Sequence, residues 1–170
     1  MQSNFFGYSW LLAVSGGGAW GLTLSILLVH WLARGRPTYP SQSNPYAAFI
    51  SDIAAFELKP VFITGCTITA LTYLGTIWSV NHIRYARSGY ALMHDARWRR
   101  VMSSVSVILS FEAAISLFLL AIFDTVQAHE RHHILLLCTF GGLGLSAIFT
   151  GATWSDQLKL HAHHPKLRRW

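Results

Sequence analysis

VMSSVSVILSFEAAISLFLLAIF, Val101–Phe123, decides the fold class. It runs for 23 residues with one ionisable group, Glu112, at its twelfth position. The hydrocarbon core of a bilayer takes about 20 apolar helical residues, so this run is long enough to cross one and Glu112 falls near its centre. Three further runs reach similar lengths: Tyr8–Ala33, Val61–Val80 and His133–Trp154. The expected architecture is an all-α polytopic transmembrane helix bundle. Residues 1–170 form a single membrane domain with helices at about 8–33, 61–80, 101–123 and 133–154.

The composition agrees. Hydrophobic residues make up 52% of the 170 and charged residues only 12%, against roughly 25% charged in soluble domains. This excludes a disordered chain, a nucleic-acid-binding protein and an ordinary cytosolic enzyme. Cys66 and Cys138 both sit inside apolar runs, which excludes a disulfide framework. Trp10 and Trp31 lie roughly 31 Å apart along a helix, the separation of two interfacial aromatic anchors on one span. No basic residue precedes the first run, and it is longer than a signal-peptide core, so it reads as a retained helix.

The net charge of +6 comes from 13 Lys and Arg against 7 acids, and its distribution sets the orientation. The loop 81–100 carries Arg84, Arg87, Arg97, Arg99 and Arg100. The tail after Trp154 carries Lys159, Lys166, Arg168 and Arg169. The other side holds Arg34, Arg36, Lys59 and Arg131. By the positive-inside rule both termini and loop 81–100 are cytosolic, and loops 34–60 and 124–132 face the lumen or the outside. The basic loop and tail 155–170, which also holds His161, His163 and His164, are candidates for contact with anionic lipid. Fixing the topology is the simpler role and is favoured over specific phosphoinositide recognition.

A charge at the position of Glu112 costs about 2.5–3.5 kcal/mol on insertion scales. Two readings follow. Glu112 is a proton, ion or headgroup site, or it is a protonated acid that joins helices, with Ser116 at i+4 and Thr69, Thr72 and Thr76 of the second run as partners. Gly17 and Gly21 form a GxxxG pair, and Gly142 and Ser146 a small-xxx-small pair; both read as packing surfaces. The polar set expected at the lumenal side is Asp52, Glu57, Asp124, His129, His132 and His133. A carboxylate at a helix C-terminus is disfavoured by the helix dipole, so Asp124 needs a partner, and His132 or His133 is close by topology. Such a pair suits a phosphate or sugar headgroup contact, acid–base work, metal binding or a salt-bridged turn, the turn being favoured. The histidine spacings match no closed metal pattern, and nothing calls for a cofactor.

Two stretches together resemble a known family. NPYAAFISDIAAFELKPVFI, Asn44–Ile63, resembles the "PyISD … PEk-x-vF" signature in the first lumenal loop of the Frag/DRAM/Sfk membrane proteins. IFDTVQAHERHHI, Ile122–Ile134, is similar to that family's "FDt … H" hairpin. The likeness covers roughly residues 8 to 155. Phe56-Glu-Leu-Lys-Pro60 stands where a Pro-Glu-Lys run is usual. The family usually has five or six membrane helices and four fit here, the pattern expected of a truncated gene model, a short paralogue or a splice form.

The family includes damage-regulated autophagy modulators, post-GPI-attachment lipid-remodelling factors and the N-terminal domain of the calcofluor-hypersensitive (Cwh-type) cell-wall protein. The resemblance implies membrane lipids as partners, GPI-anchored lipids or ceramide among them, with room for a membrane-protein partner and none for nucleic acid. It implies headgroup-binding roles for Ser51, Asp52, Glu57, Lys59 and Thr125. Asp124, His132 and His133 are the candidates should the chain be an enzyme of lipid acyl transfer. The expected role is an accessory factor in GPI-anchor lipid remodelling or membrane lipid organisation. The alternatives are an autophagy or plasma-membrane lipid regulator, and a proton-coupled transporter or channel subunit that uses Glu112. The expected location is the endoplasmic reticulum, Golgi or plasma membrane.

Overall fold

The computed structural model describes residues 8–40, 42–85, 96–126 and 128–155. Four long helices carry the chain: α1 (Trp10–Ala33), α3 (Lys59–Tyr85), α4 (Arg97–Ile122) and α5 (His129–Trp154), with a short α2 (Ile50–Ala54) in the first loop. Each long helix is long and apolar enough to cross a membrane. Three of them extend beyond the apolar runs, because helical hydrogen bonding continues into polar ends that hydropathy alone leaves out. Thus α3 begins at Lys59, α4 at Arg97 and α5 at His129.

Consecutive long helices pack antiparallel. Gly16 of α1 meets Thr72 of α3, while Thr23, further along α1, meets Gly65, earlier in α3. Asn81 donates to Ser103 at one end of the α3–α4 pair, and Lys59 reaches Asp124 at the other. In the α4–α5 pair, Ser106 bonds Ser146 and Gly142 lies against Leu109 and Ala113. The loop 34–58 and the turn 123–128 therefore share one end, here termed the loop end.

The packing seams are polar and the outside is oily, as lipid demands. Along α4, Ser103, Ser106, Ser110, Ala113, Ser116 and Leu117 recur every three or four residues and are buried. Small side chains let helices approach closely, which replaces the hydrophobic drive that lipid removes. Ser106 and Ser146 each donate to the other's backbone carbonyl at 2.9 Å. Outward lie Leu22, Val29, Leu71, Ile108, Leu137 and Ile148, all more than half exposed or close to it, so the bilayer is the solvent that suits them.

Two packing expectations are corrected. A Cβ on Gly17 or Gly21 would meet nothing within 4 Å, whereas one on Gly16 would sit 3.3 Å from Thr72 Cβ. The tight approach uses the face 100° round the helix from the GxxxG pair, because Gly16 is the glycine that points at α3. Thr72 and Thr76, expected beside Glu112, donate instead to Ile68 and Thr72 carbonyls within α3. Gly142 and Ser146 do form a packing surface, and both are buried on α5.

At the loop end α1 closes on a left-handed residue. Gly35 has φ +75, its N–H reaches the Leu32 carbonyl and the Arg36 N–H reaches that of Trp31, the paired bonds of a Schellman cap. The chain then turns and drops α2 onto the helix ends. Ile53 and Ala54 join Leu27, Trp31, Phe62, Cys66, Leu117, Leu120 and Ala121 in one buried cluster. Pro60 lies in the first turn of α3, where its missing N–H costs nothing.

Candidate functional site at the loop end

The two motif segments converge. Asp52 lies in α2 and is 1% exposed. One of its carboxylate oxygens accepts the Phe49 N–H at 3.0 Å, which caps α2. The other accepts the Thr125 hydroxyl at 3.4 Å. The first loop is thereby tied to the α4–α5 turn. Beside this contact Lys59 Nζ stands 2.6 Å from Asp124 Oδ2. Asp124 is 7% exposed, and its second oxygen accepts the Val126 N–H at 3.0 Å.

This corrects the expected pairing of Asp124 with a histidine. Among the described residues its ion pair comes from Lys59, which the first turn of α3 projects across the gap to α4. The lysine also answers the dipole problem, since a cation beside the acid offsets the negative end of α4. His132 has a different task. It is buried, and its Nδ1 lies 2.7 Å from the Phe123 carbonyl. A carbonyl can only accept, so Nδ1 carries the hydrogen and the imidazole staples α5 to the end of α4. His133 is exposed, on the other face.

Glu57 is exposed and pairs with Arg34 at 2.6 Å, with His30 at 3.9 Å. In the sequence Arg34 is legible only as a charge, because its partner lies 23 residues away across the Pro-containing loop. Ser51 is half-buried in α2 beside Asp52. The loop end thus holds Ser51, Asp52, Glu57, Lys59, Asp124, Thr125 and His132 together, while His133 stands apart.

Glu112 lies in the α4–α5 seam. Its Oε1 accepts the Ser116 hydroxyl at 3.1 Å, the expected i+4 contact. Its other oxygen lies over Gly142, where any Cβ would collide with it. The absent side chain of Gly142 makes room for the carboxyl.

At the opposite end the basic set divides. Arg84 is buried, with its guanidinium 5.3 Å from the Trp154 ring, so it packs inside the bundle rather than against a leaflet. Arg97 and Arg100 are exposed, and Arg99 lies over the Trp98 ring at 5.1 Å. Arg87, Lys159, His161, His163, His164, Lys166, Arg168 and Arg169 lie outside the described residues. A cleft lined by Asn81, Ser103, Ser106 and Thr150 has a volume near 10 Å³, which is room for water only.

One pattern was passed over in the sequence. His129-Glu130-Arg131-His132-His133 has the H-E-x-x-H spacing that places two imidazoles on one helix face. Among the described residues no three His, Cys, Asp or Glu side chains converge as metal ligands.

No curated protein and no solved structure matches the chain. The family model described as Frag1/DRAM/Sfk1/Cwh43P N-terminal domain matches residues 8–170. Nearly the whole chain is covered, the four apolar helices included, and the protein belongs to that family.

Proposed function

We propose that this protein is a non-catalytic factor in the remodelling of GPI-anchor lipids or the organisation of membrane lipids, with its loop end facing the lumen or the outside. One observation carries the reading. The polar residues of both family segments meet at one end of the bundle, and their polar atoms are engaged with one another. Asp124 holds Lys59 and a backbone N–H, Asp52 caps α2 and accepts from Thr125, and the buried His132 has its Nδ1 on a carbonyl. A general base must reach the proton it abstracts, and the oxygens of both carboxylates are already engaged in bracing the loop end. The broad apolar faces around that surface suit acyl chains, and the exposed Arg97 and Arg100 support a cytosolic location for the other end.

The test is the lipid composition and surface display of GPI-anchored proteins in cells lacking the gene. Altered anchor lipids, restored on re-expression of these 170 residues, are the expected result. Unchanged anchors would reject the role and turn attention to plasma-membrane lipid or autophagy.

A further inference from the structure

The start of α5 presents two histidines that the bundle does not use. His129 and His133 are four residues apart, so they share a helix face. Their rings meet with centroids 4.4 Å apart and planes inclined at 49°. Both residues are exposed, and no hydrogen bond or ion pair ties either to another described residue. His132, between them, points the opposite way into the structure. Arg131 is drawn aside, with its guanidinium 5.9 Å from the Phe123 ring.

Neutral imidazole nitrogens are good ligands for zinc, copper and nickel ions. Two nitrogens bound at 2.0–2.1 Å to a tetrahedral ion stand roughly 3.3 Å apart, a separation that rings in contact reach by small side-chain rotations. Glu130 is exposed in the same first turn and supplies negative charge against the positive end of the helix.

We propose that His129 and His133 form a two-imidazole site for a divalent zinc- or copper-class ion at the loop end of the bundle. With two protein ligands the site is open, water fills the remaining positions, and the metal exchanges readily. This differs from a closed structural zinc site, which takes four protein ligands. The inference stands on the histidine pair alone and does not depend on the lipid role.

The test is titration of the full chain in lipid nanodiscs with Zn2+, then with Cu2+ followed by electron paramagnetic resonance. Three variants are compared: H129Q, H133Q, and one with the tail histidines His161, His163 and His164 changed to alanine. Loss of a ligand is expected to weaken Zn2+ binding by roughly ten-fold or more in each single variant. The tail variant should bind as the parent does, with two imidazole nitrogens seen on bound Cu2+. Because both side chains are exposed, thermal unfolding of H129Q and H133Q should match the parent, which separates ligand loss from misfolding. Equal binding in H129Q, H133Q and the parent, loss of binding in the tail variant, or no binding by the parent would each overturn the site.

Discussion

Lys59 Nζ and Asp124 Oδ2 are 2.6 Å apart although 65 residues separate them in the chain. The pair joins the first turn of α3 to the end of α4, next to the Asp52–Thr125 contact that pins the first loop. Its acid is almost wholly buried and its lysine about a third exposed. A hydrogen bond to a charged group is worth about 1.5–3 kcal/mol, and a buried acid left without its cation loses more than the contact itself.

Lys59→Met should therefore destabilise the chain by about 3–5 kcal/mol, and Asp124→Asn by less, since the amide oxygen still accepts the Val126 N–H. Combining them should cost less than the sum of the single changes, because the two residues interact directly. Unfolding in mixed detergent micelles reads all three. Strict additivity would show that the two side chains act separately.

The glycines separate into those that carry a close approach and those that do not. Gly142→Ala puts a methyl group against the Glu112 carboxyl, 2.9 Å from Ala113 Cβ and 3.2 Å from the Leu109 carbonyl. Overpacking of this kind costs about 1–3 kcal/mol. Gly65→Ala, which drives into the Thr23 side chain, should behave likewise. Gly17→Ala and Gly21→Ala meet open space and should stabilise α1 slightly, by about 0.4–1 kcal/mol. A thermal-unfolding series on the four variants tests the ranking.

Glu112 provides a direct contrast between a packing acid in the α4–α5 seam and a transport site. Glu112→Gln keeps an acceptor for the Ser116 hydroxyl and fits the space over Gly142. Stability and function are expected to be retained, while Glu112→Leu loses about 0.5–1.5 kcal/mol for the hydrogen bond to Ser116 within α4. A pH-dependent flux abolished by Glu112→Gln would identify a proton site instead.

The orientation is open to chemical labelling. Cys66 is buried and Cys138 lies within α5, so a single exposed cysteine at Tyr46, which is 91% exposed, gives a clean reporter. Tyr46→Cys should react with a membrane-impermeant maleimide applied from the non-cytosolic side. Reaction only after the cytosolic side is opened would invert the topology.

The four spans were legible because hydropathy sums over some twenty residues and survives local error. The partners of Asp52 and Asp124 were not. The sequence offers Asp52 no partner and Asp124 only the histidines nearest by topology, while Lys59 lies two helix lengths away in the chain. Gly16 was hidden for another reason: three consecutive glycines are equally small, and only the rotation of α1 against α3 selects one of them. The Glu112–Ser116 contact was readable because a helix fixes i and i+4 on one face. The i and i+4 spacing of His129 and His133 is readable in the sequence, but a spacing that matches no closed metal pattern does not by itself separate a ligand pair from surface residues.

The most direct measurement is the mass-spectrometric composition of GPI-anchor lipids, normalised to the amount of protein, in cells lacking the gene and rescued with the parent chain or with Asp124→Asn. The parent should restore the anchor lipids, and Asp124→Asn should restore them in proportion to its abundance, because Asp124 braces the loop end rather than reacting. An Asp124→Asn protein that is fully abundant yet wholly inactive would contradict the account and make Asp124 a catalytic group.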